Sequence, residues 1–184
     1  MLDVNALATV RPSVKFSTEE TDYWWWLMQN ADVNSARLIL AVLDDPAWKD
    51  ELAGKMPGNV ELYLCRGFAD LEAALGGRRF DLVIIANVLR LESASQARTL
   101  IARVADAVAP AGALLIIDAF AAGSEAAELA RTVYALHLAL RTEAGRVHSP
   151  KDISAWMSDA GFGNLKMVDL DPNMAAVGAL IGWC

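Results

Sequence analysis

The chain has 184 residues, 55% of them hydrophobic and 21% charged, which is enough apolar material for one domain with a packed core. Its formal charge of −7, with basic residues only in short, scattered spots such as Arg78-Arg79 and Arg141/Arg146, argues against nucleic acid, whose phosphates need a continuous basic face. No run reaches the roughly 18 apolar residues of a membrane helix, and two cysteines, Cys65 and Cys184, make neither a metal cluster nor a disulfide framework.

Residues 1–16 carry no clear period and read as an arm. They lack the ordered basic flank, apolar run and cleavage site of a secretory signal, so the expected location is the cytoplasm. Ser17-Thr18-Glu19-Glu20 has the pattern of a capping box and should open a helix through Tyr23, Trp24, Trp25, Trp26, Leu27 and Met28. Adjacent helical residues lie about 100° apart, so three successive tryptophans cannot all face one core. The Trp24–Trp26 helix is therefore the expected contact surface of a homo- or hetero-oligomer.

Alternating units follow. Residues 37–43 (RLILAVL) are a continuous apolar run of the kind that forms a strand buried on both faces. Pro46 can open a helix to about Lys55. Gly58-Asn59 reads as a turn, 60–65 (VELYLC) as a second strand, and 69–75 as a short helix ended by Gly76-Gly77. Residues 80–86 (FDLVIIA) make a third strand and 94–108 a helix. Pro110-Ala111-Gly112 reads as a turn before a fourth strand, 113–117, which ends at Asp118. A long helix is expected over 124–142. Another starts at Ser149, a plausible N-cap with Pro150 at the first helical position, and stops at Gly161. Strands near 165–170 and 175–182 close the chain. The resulting fold class is α/β, with a mostly parallel sheet and one antiparallel strand near the C-terminus. The division is an arm and tryptophan-rich helix at 1–36 and an α/β domain at 37–184.

Four segments carry a family resemblance. LAVLDDPAW (40–48), FDLVIIANVLRLES (80–93), VADAVAPAGALLIIDAF (104–120) and HSPKDISAWMSDAGFGNLKMVDLD (148–171) resemble, in order and spacing, parts of class I S-adenosylmethionine methyltransferases. The subgroup they are most similar to is the small-molecule O-methyltransferases of natural-product pathways. The resemblance implies a truncated Rossmann-like sheet with any ligand beyond the carboxyl ends of the strands. It makes 37–43 the family's second strand and Asp44 its ribose-binding acid, although a strand-end aspartate before Pro46 would also serve as a cap. It places Gly67 and Phe68 in the adenine-side loop and Asn87 at the same edge. It aligns Arg90 with the family's histidine base and Asp118 with the acid that orients that base. His148 lies in a loop near the substrate edge.

Two departures decide the expected function. The family's first strand ends in a glycine-rich turn, yet no residue between Met1 and Gly54 is glycine, and the corresponding stretch reads WWWLMQNADVNSA (24–36). A replaced first strand should leave one edge of the second strand open. An arginine stays protonated at neutral pH and cannot act as a base, so Arg90 is expected to form an ion pair with Asp118. The catalytic residue is unassigned, with His148, Arg90 and Asp118 as candidates; the candidate cofactor contacts are Asp44, Gly67, Phe68 and Asn87. The expected protein is a methyltransferase-family member of small-molecule metabolism with a degenerate or incomplete S-adenosylmethionine site, acting as one subunit of an assembly. The alternatives are a non-catalytic scaffold subunit, or a repurposed fold acting as a cyclase or small-molecule binder.

Overall fold

The apolar runs become the strands of one six-stranded sheet. The computed structural model describes residues 36–43, 59–119, 125–168 and 178–184. The tryptophan helix, Asp44 and the helix after Pro46 lie outside the described residues. In chain order the elements are β1 (Leu38–Leu43), β2 (Glu61–Arg66), α1 (Leu71–Leu75), β3 (Phe80–Ala86), a 3-10 turn (Leu89–Leu91), α2 (Ala94–Ala105), β4 (Val108–Asp118), α3 (Glu125–Arg141), α4 (Pro150–Asp159), β5 (Gly163–Val168) and β6 (Gly178–Trp183). The sheet order is β2-β1-β3-β4-β6-β5. The first four strands run parallel, and β6 is antiparallel to both of its neighbours.

β1 lies between β2 and β3 and is hydrogen-bonded on both sides. The open edge expected beside the second strand is therefore absent; among the described residues the edges of the sheet are β2 and β5. Asp81, near the start of β3, holds this arrangement at its entry. Its Oδ2 accepts from the amides of Arg37 at 2.7 Å and Leu38 at 3.0 Å. A carboxylate that takes two main-chain donors from the incoming strand fixes its register before the ladder begins.

Both faces of the sheet are buried, which explains why the strands show no alternation. On one face Leu40, Val42, Val83, Ile85, Leu114 and Ile116 pack with Leu100, Ile101 and Val104 of α2 and with Ile153 and Met157 of α4. On the other face Ile39, Ala41, Leu82, Ile84, Leu115, Ile117 and Ile181 form a second cluster. In α2 the buried positions are Ala97, Leu100, Ile101 and Val104, the i, i+3, i+4, i+7 stripe of a core-facing helix. That helix starts in a capping box, with Ser93 accepting from the Gln96 amide and Gln96 reaching back to Ser93. α4 begins as its sequence implies, with Ser149 Oγ accepting from Asp152 N at 3.1 Å and Pro150 in the first turn.

Pro110-Ala111-Gly112 differs from expectation, because it lies inside β4 rather than before it. The register passes from Phe80 opposite Val108 to Leu82 opposite Ala113, so Asp81 alone faces four residues. The turn residues bulge out of a strand that resumes its pairing. Gly112 is required there: a Cβ would sit 2.8 Å from the Ala109 carbonyl and 3.0 Å from that of Asp81. Among the described residues, no helix is long and apolar enough to cross a membrane.

Candidate functional site

The carboxyl ends of the parallel strands bring Gly67, Phe68, Asn87, Arg90 and Asp118 to one edge of the sheet. Asp44 lies outside the described residues. Gly67 follows β2 with φ of 55°, a left-handed conformation that glycine adopts without strain. Nothing lies within 4 Å of where its Cβ would be. Phe68 is half-buried against the core and lines an open groove of about 380 Å³ with Glu92, Ser95, Gln96 and Thr99. That volume is enough for a small ligand. Cys65, just upstream in β2, is buried; burial first and the charge of Asp70 second push its thiol up to about 12, so it is no nucleophile at neutral pH.

Asn87 ends β3 in the left-handed region at φ 62°, which asparagine tolerates better than most residues. Its amide donates to the Ile117 carbonyl at 2.9 Å, tying the turn to β4. Its Oδ1 accepts from the Arg90 guanidinium at 2.6 Å. Arg90 is only 8% exposed. Its guanidinium also lies 5.4 Å from the centre of the Tyr134 ring, close enough for a cation–π contact.

Asp118 meets Arg90 through the main chain, which corrects the expected ion pair. Its Oδ2 accepts from the Arg90 amide at 3.1 Å and its Oδ1 from the Ala119 amide at 2.8 Å. The carboxylate thus caps the 3-10 turn that presents Arg90, and the guanidinium turns to Asn87. Burial raises the Asp118 pKa above the ordinary carboxylate range. The nearby Arg90 charge, the two amides and His148 act in the opposite direction without cancelling it.

His148 contacts the same turn through its Nε2. It is buried, with Nε2 at 2.9 Å from the Leu89 carbonyl and 3.2 Å from that of Glu92. Carbonyls only accept, so Nε2 carries the proton and donates to them. The ring stands edge-on to Trp156 at 5.2 Å. Just before it, the Arg146 amide donates to the Arg90 carbonyl at 2.9 Å. Gly145 allows that approach, since a Cβ there would sit 2.9 Å from the same carbonyl. Segment 145–148 is therefore a clamp over the 3-10 turn, holding the carbonyls of residues 89, 90 and 92. Sequence reasoning missed this clamp, and Gly145 was its only local signal.

The structure brings the described candidates to one edge of the sheet, where Asn87, Arg90, Asp118 and His148 take part in the hydrogen bonds given above. Arg90 is a permanent cation, Asp118 is engaged with two amides, and the Nε2 of His148 is engaged with two carbonyls. Among the described residues, no group of three His, Cys, Asp or Glu side chains could hold a metal ion.

Residues 76–163 match the O-methyltransferase domain family. This interval contains β3, the 3-10 turn, β4 and the clamp. Over 101 residues the chain is 29% identical to the tetracenomycin polyketide synthesis 8-O-methyl transferase TcmO of Streptomyces glaucescens, covering 54% of this chain and 30% of that protein. A protein from Nostoc punctiforme PCC 73102, described as a candidate O-methyltransferase, superimposes with a TM-score of 0.70 at 14% identity, over 90% of this chain and 56% of the other. Human N-acetylserotonin methyltransferase in complex with S-adenosylmethionine gives a TM-score of 0.65 at 17% identity, over 89% and 53%. The chain thus spans little more than half the length of these structures. At such identities the likeness to them establishes the fold, which is that of class I methyltransferases.

Proposed function

We propose that this chain, a class I methyltransferase-like α/β domain, belongs to small-molecule, natural-product metabolism as one subunit of an assembly and does not carry out base-assisted O-methylation by itself. The observation that carries this reading is the use of Arg90, Asp118 and His148 as scaffold. Base-assisted methyl transfer to a hydroxyl needs a proton acceptor within hydrogen-bond reach of that hydroxyl. Arg90 holds the aligned position as a buried cation, and its two candidate helpers already donate to or accept from the main chain.

The same residues test the fit of S-adenosylmethionine. Gly67 and half-buried Phe68, beside the groove of Glu92, Ser95, Gln96 and Thr99, suit a flat adenine ring. The reacting end fits poorly. Its sulfonium is positively charged, and the buried cation beyond β3 would repel it. No step is therefore assigned to the cofactor here. The expected result of isothermal titration is weak or undetectable binding of S-adenosylmethionine. One-site binding of low-micromolar affinity would overturn the proposal. The open groove supports one second reading, a small-molecule binder built on the same fold.

A further inference from the structure

The groove beside Phe68 has a hydrogen-bonding character that an adenine ring would leave unused. It holds about 380 Å³ between the loop after β2 and the first turns of α2, and its walls are Phe68, Glu92, Ser95, Gln96 and Thr99. Phe68 is the aromatic wall, half-buried against the core. The Glu92 carboxylate makes no hydrogen bond or ion pair among the described residues. The hydroxyls beside it have spent their protons. Thr99 Oγ1 donates to the Ser95 carbonyl at 2.9 Å. Ser93 Oγ donates to Gln96 Oε1 at 2.6 Å, so in its 3.1 Å contact with Ser95 Oγ the donor is Ser95. A hydroxyl has one proton and two lone pairs. Ser95 and Thr99 therefore offer the groove lone pairs, next to a carboxylate that also only accepts. Among the described walls, the Gln96 amide nitrogen is the one side-chain donor.

The charge around the groove has the same sense. None of its described walls is cationic. The arginines close by in sequence do not line it: Arg66 ends β2, Arg90 is buried against Asn87, and Arg98 is paired with Asp159 at 3.0 Å. Asp70, two residues after Phe68, makes no side-chain cap bond to α1, and its charge reaches Cys65. The N-terminus of α2 acts the other way, because a helix end of this kind favours anions. Its charge is roughly half an elementary unit against the full unit of Glu92, and the capping box already takes the amides of Ser93 and Gln96.

We propose that this groove binds a flat organic cation bearing N–H groups, a protonated aminoheteroaromatic, with Glu92 as its counter-ion and Phe68 as its stacking surface. A cation set over an aromatic face and against a carboxylate gains from both, and its N–H groups match the lone pairs of Ser95 and Thr99. A neutral adenine would use the ring surface and leave the Glu92 charge unanswered. The inference rests on the reading of the chain as a small-molecule binder and names the class of ligand.

Fluorescence polarisation of proflavine, a planar aminoacridinium, should show saturable one-site binding to the full chain at near-physiological salt. Glu92→Gln should weaken that binding at least about tenfold and keep the thermal midpoint, since the carboxylate holds nothing in the fold. Phe68→Leu, which retains apolar contact with the core, should weaken it several-fold. Asp106→Asn removes an equal charge at the far end of α2 and should change nothing. Equal losses from Glu92→Gln and Asp106→Asn would mean attraction by the net charge of −7 alone and would overturn the proposal. An anthracenesulfonate, flat but anionic, should not compete; effective competition would overturn it too. Without saturable proflavine binding the proposal also fails. Adenosine bound in its place would then keep the groove as a ligand site and remove only the cation, whereas binding of neither would remove the small-molecule reading as well.

Discussion

Asp118→Asn is the substitution whose outcome the geometry defines most closely. It keeps the size of the side chain but removes its charge and one of its two acceptors. In the native site both carboxylate oxygens are used, one by Ala119 N at 2.8 Å and one by Arg90 N at 3.1 Å. The asparagine amide can satisfy only one of these donors, because its NH₂ would face the other. A hydrogen bond to a charged group contributes about 1.5–3 kcal/mol, and a buried donor left unsatisfied costs about 1–3 kcal/mol. Against this, asparagine buries no charge, and burial is the largest influence on Asp118. The net destabilisation should be about 1–3 kcal/mol, readable in a urea melt with the slope unchanged. An unchanged midpoint would mean that the carboxylate does not cap the turn. The pH dependence follows from the raised pKa. A group with a higher pKa folded than unfolded contributes stability below its unfolded pKa and loses it as pH rises through the folded value. Asparagine lacks this titration. The stability gap between wild type and Asp118→Asn should therefore widen as pH falls from neutral into the carboxylate range. A gap that narrows would show that the two amides outweigh burial.

Two further predictions rest on the same edge of the sheet. His148→Phe keeps the ring against Trp156 but removes the side-chain donor shared by the Glu92 carbonyl and the Leu89 carbonyl, which keeps only the Glu92 amide, and should cost about 1–3 kcal/mol in the same melt; an unchanged midpoint would remove the clamp from the account. With a thiol reagent at mildly alkaline pH, the exposed Cys184 should react in the folded protein, while Cys65, buried and held up to about 12, should react only on unfolding. Rapid modification of both thiols in the native state would contradict the burial of β2.

The sequence by itself determined the local elements and their order. Phe80–Ala86 was legible because a strand buried on both faces is an unbroken apolar run. The start of α4 was legible because Ser149 and Pro150 act on their own neighbours. Asn87, Arg90 and Asp118 were placed at one edge because each follows a strand end, and parallel strands end on the same side. What each of them does was decided only by the tertiary structure. Asp118 could have met the Arg90 guanidinium; the 3-10 turn instead brings the Arg90 amide within 3.1 Å and leaves the guanidinium to Asn87. His148 could have been a solvated loop residue, yet segment 145–148 lies over residues 89–92, more than 50 positions earlier. Pro110-Gly112 could have ended a strand, but the ladder on either side of it continues and absorbs it as a bulge. β1 could have kept an open edge, but it found a partner on each side. Propensity and capping act within a few residues, so a sequence displays them directly. Which main-chain donor a buried carboxylate takes, or which strand becomes a neighbour, depends on groups that only folding brings together.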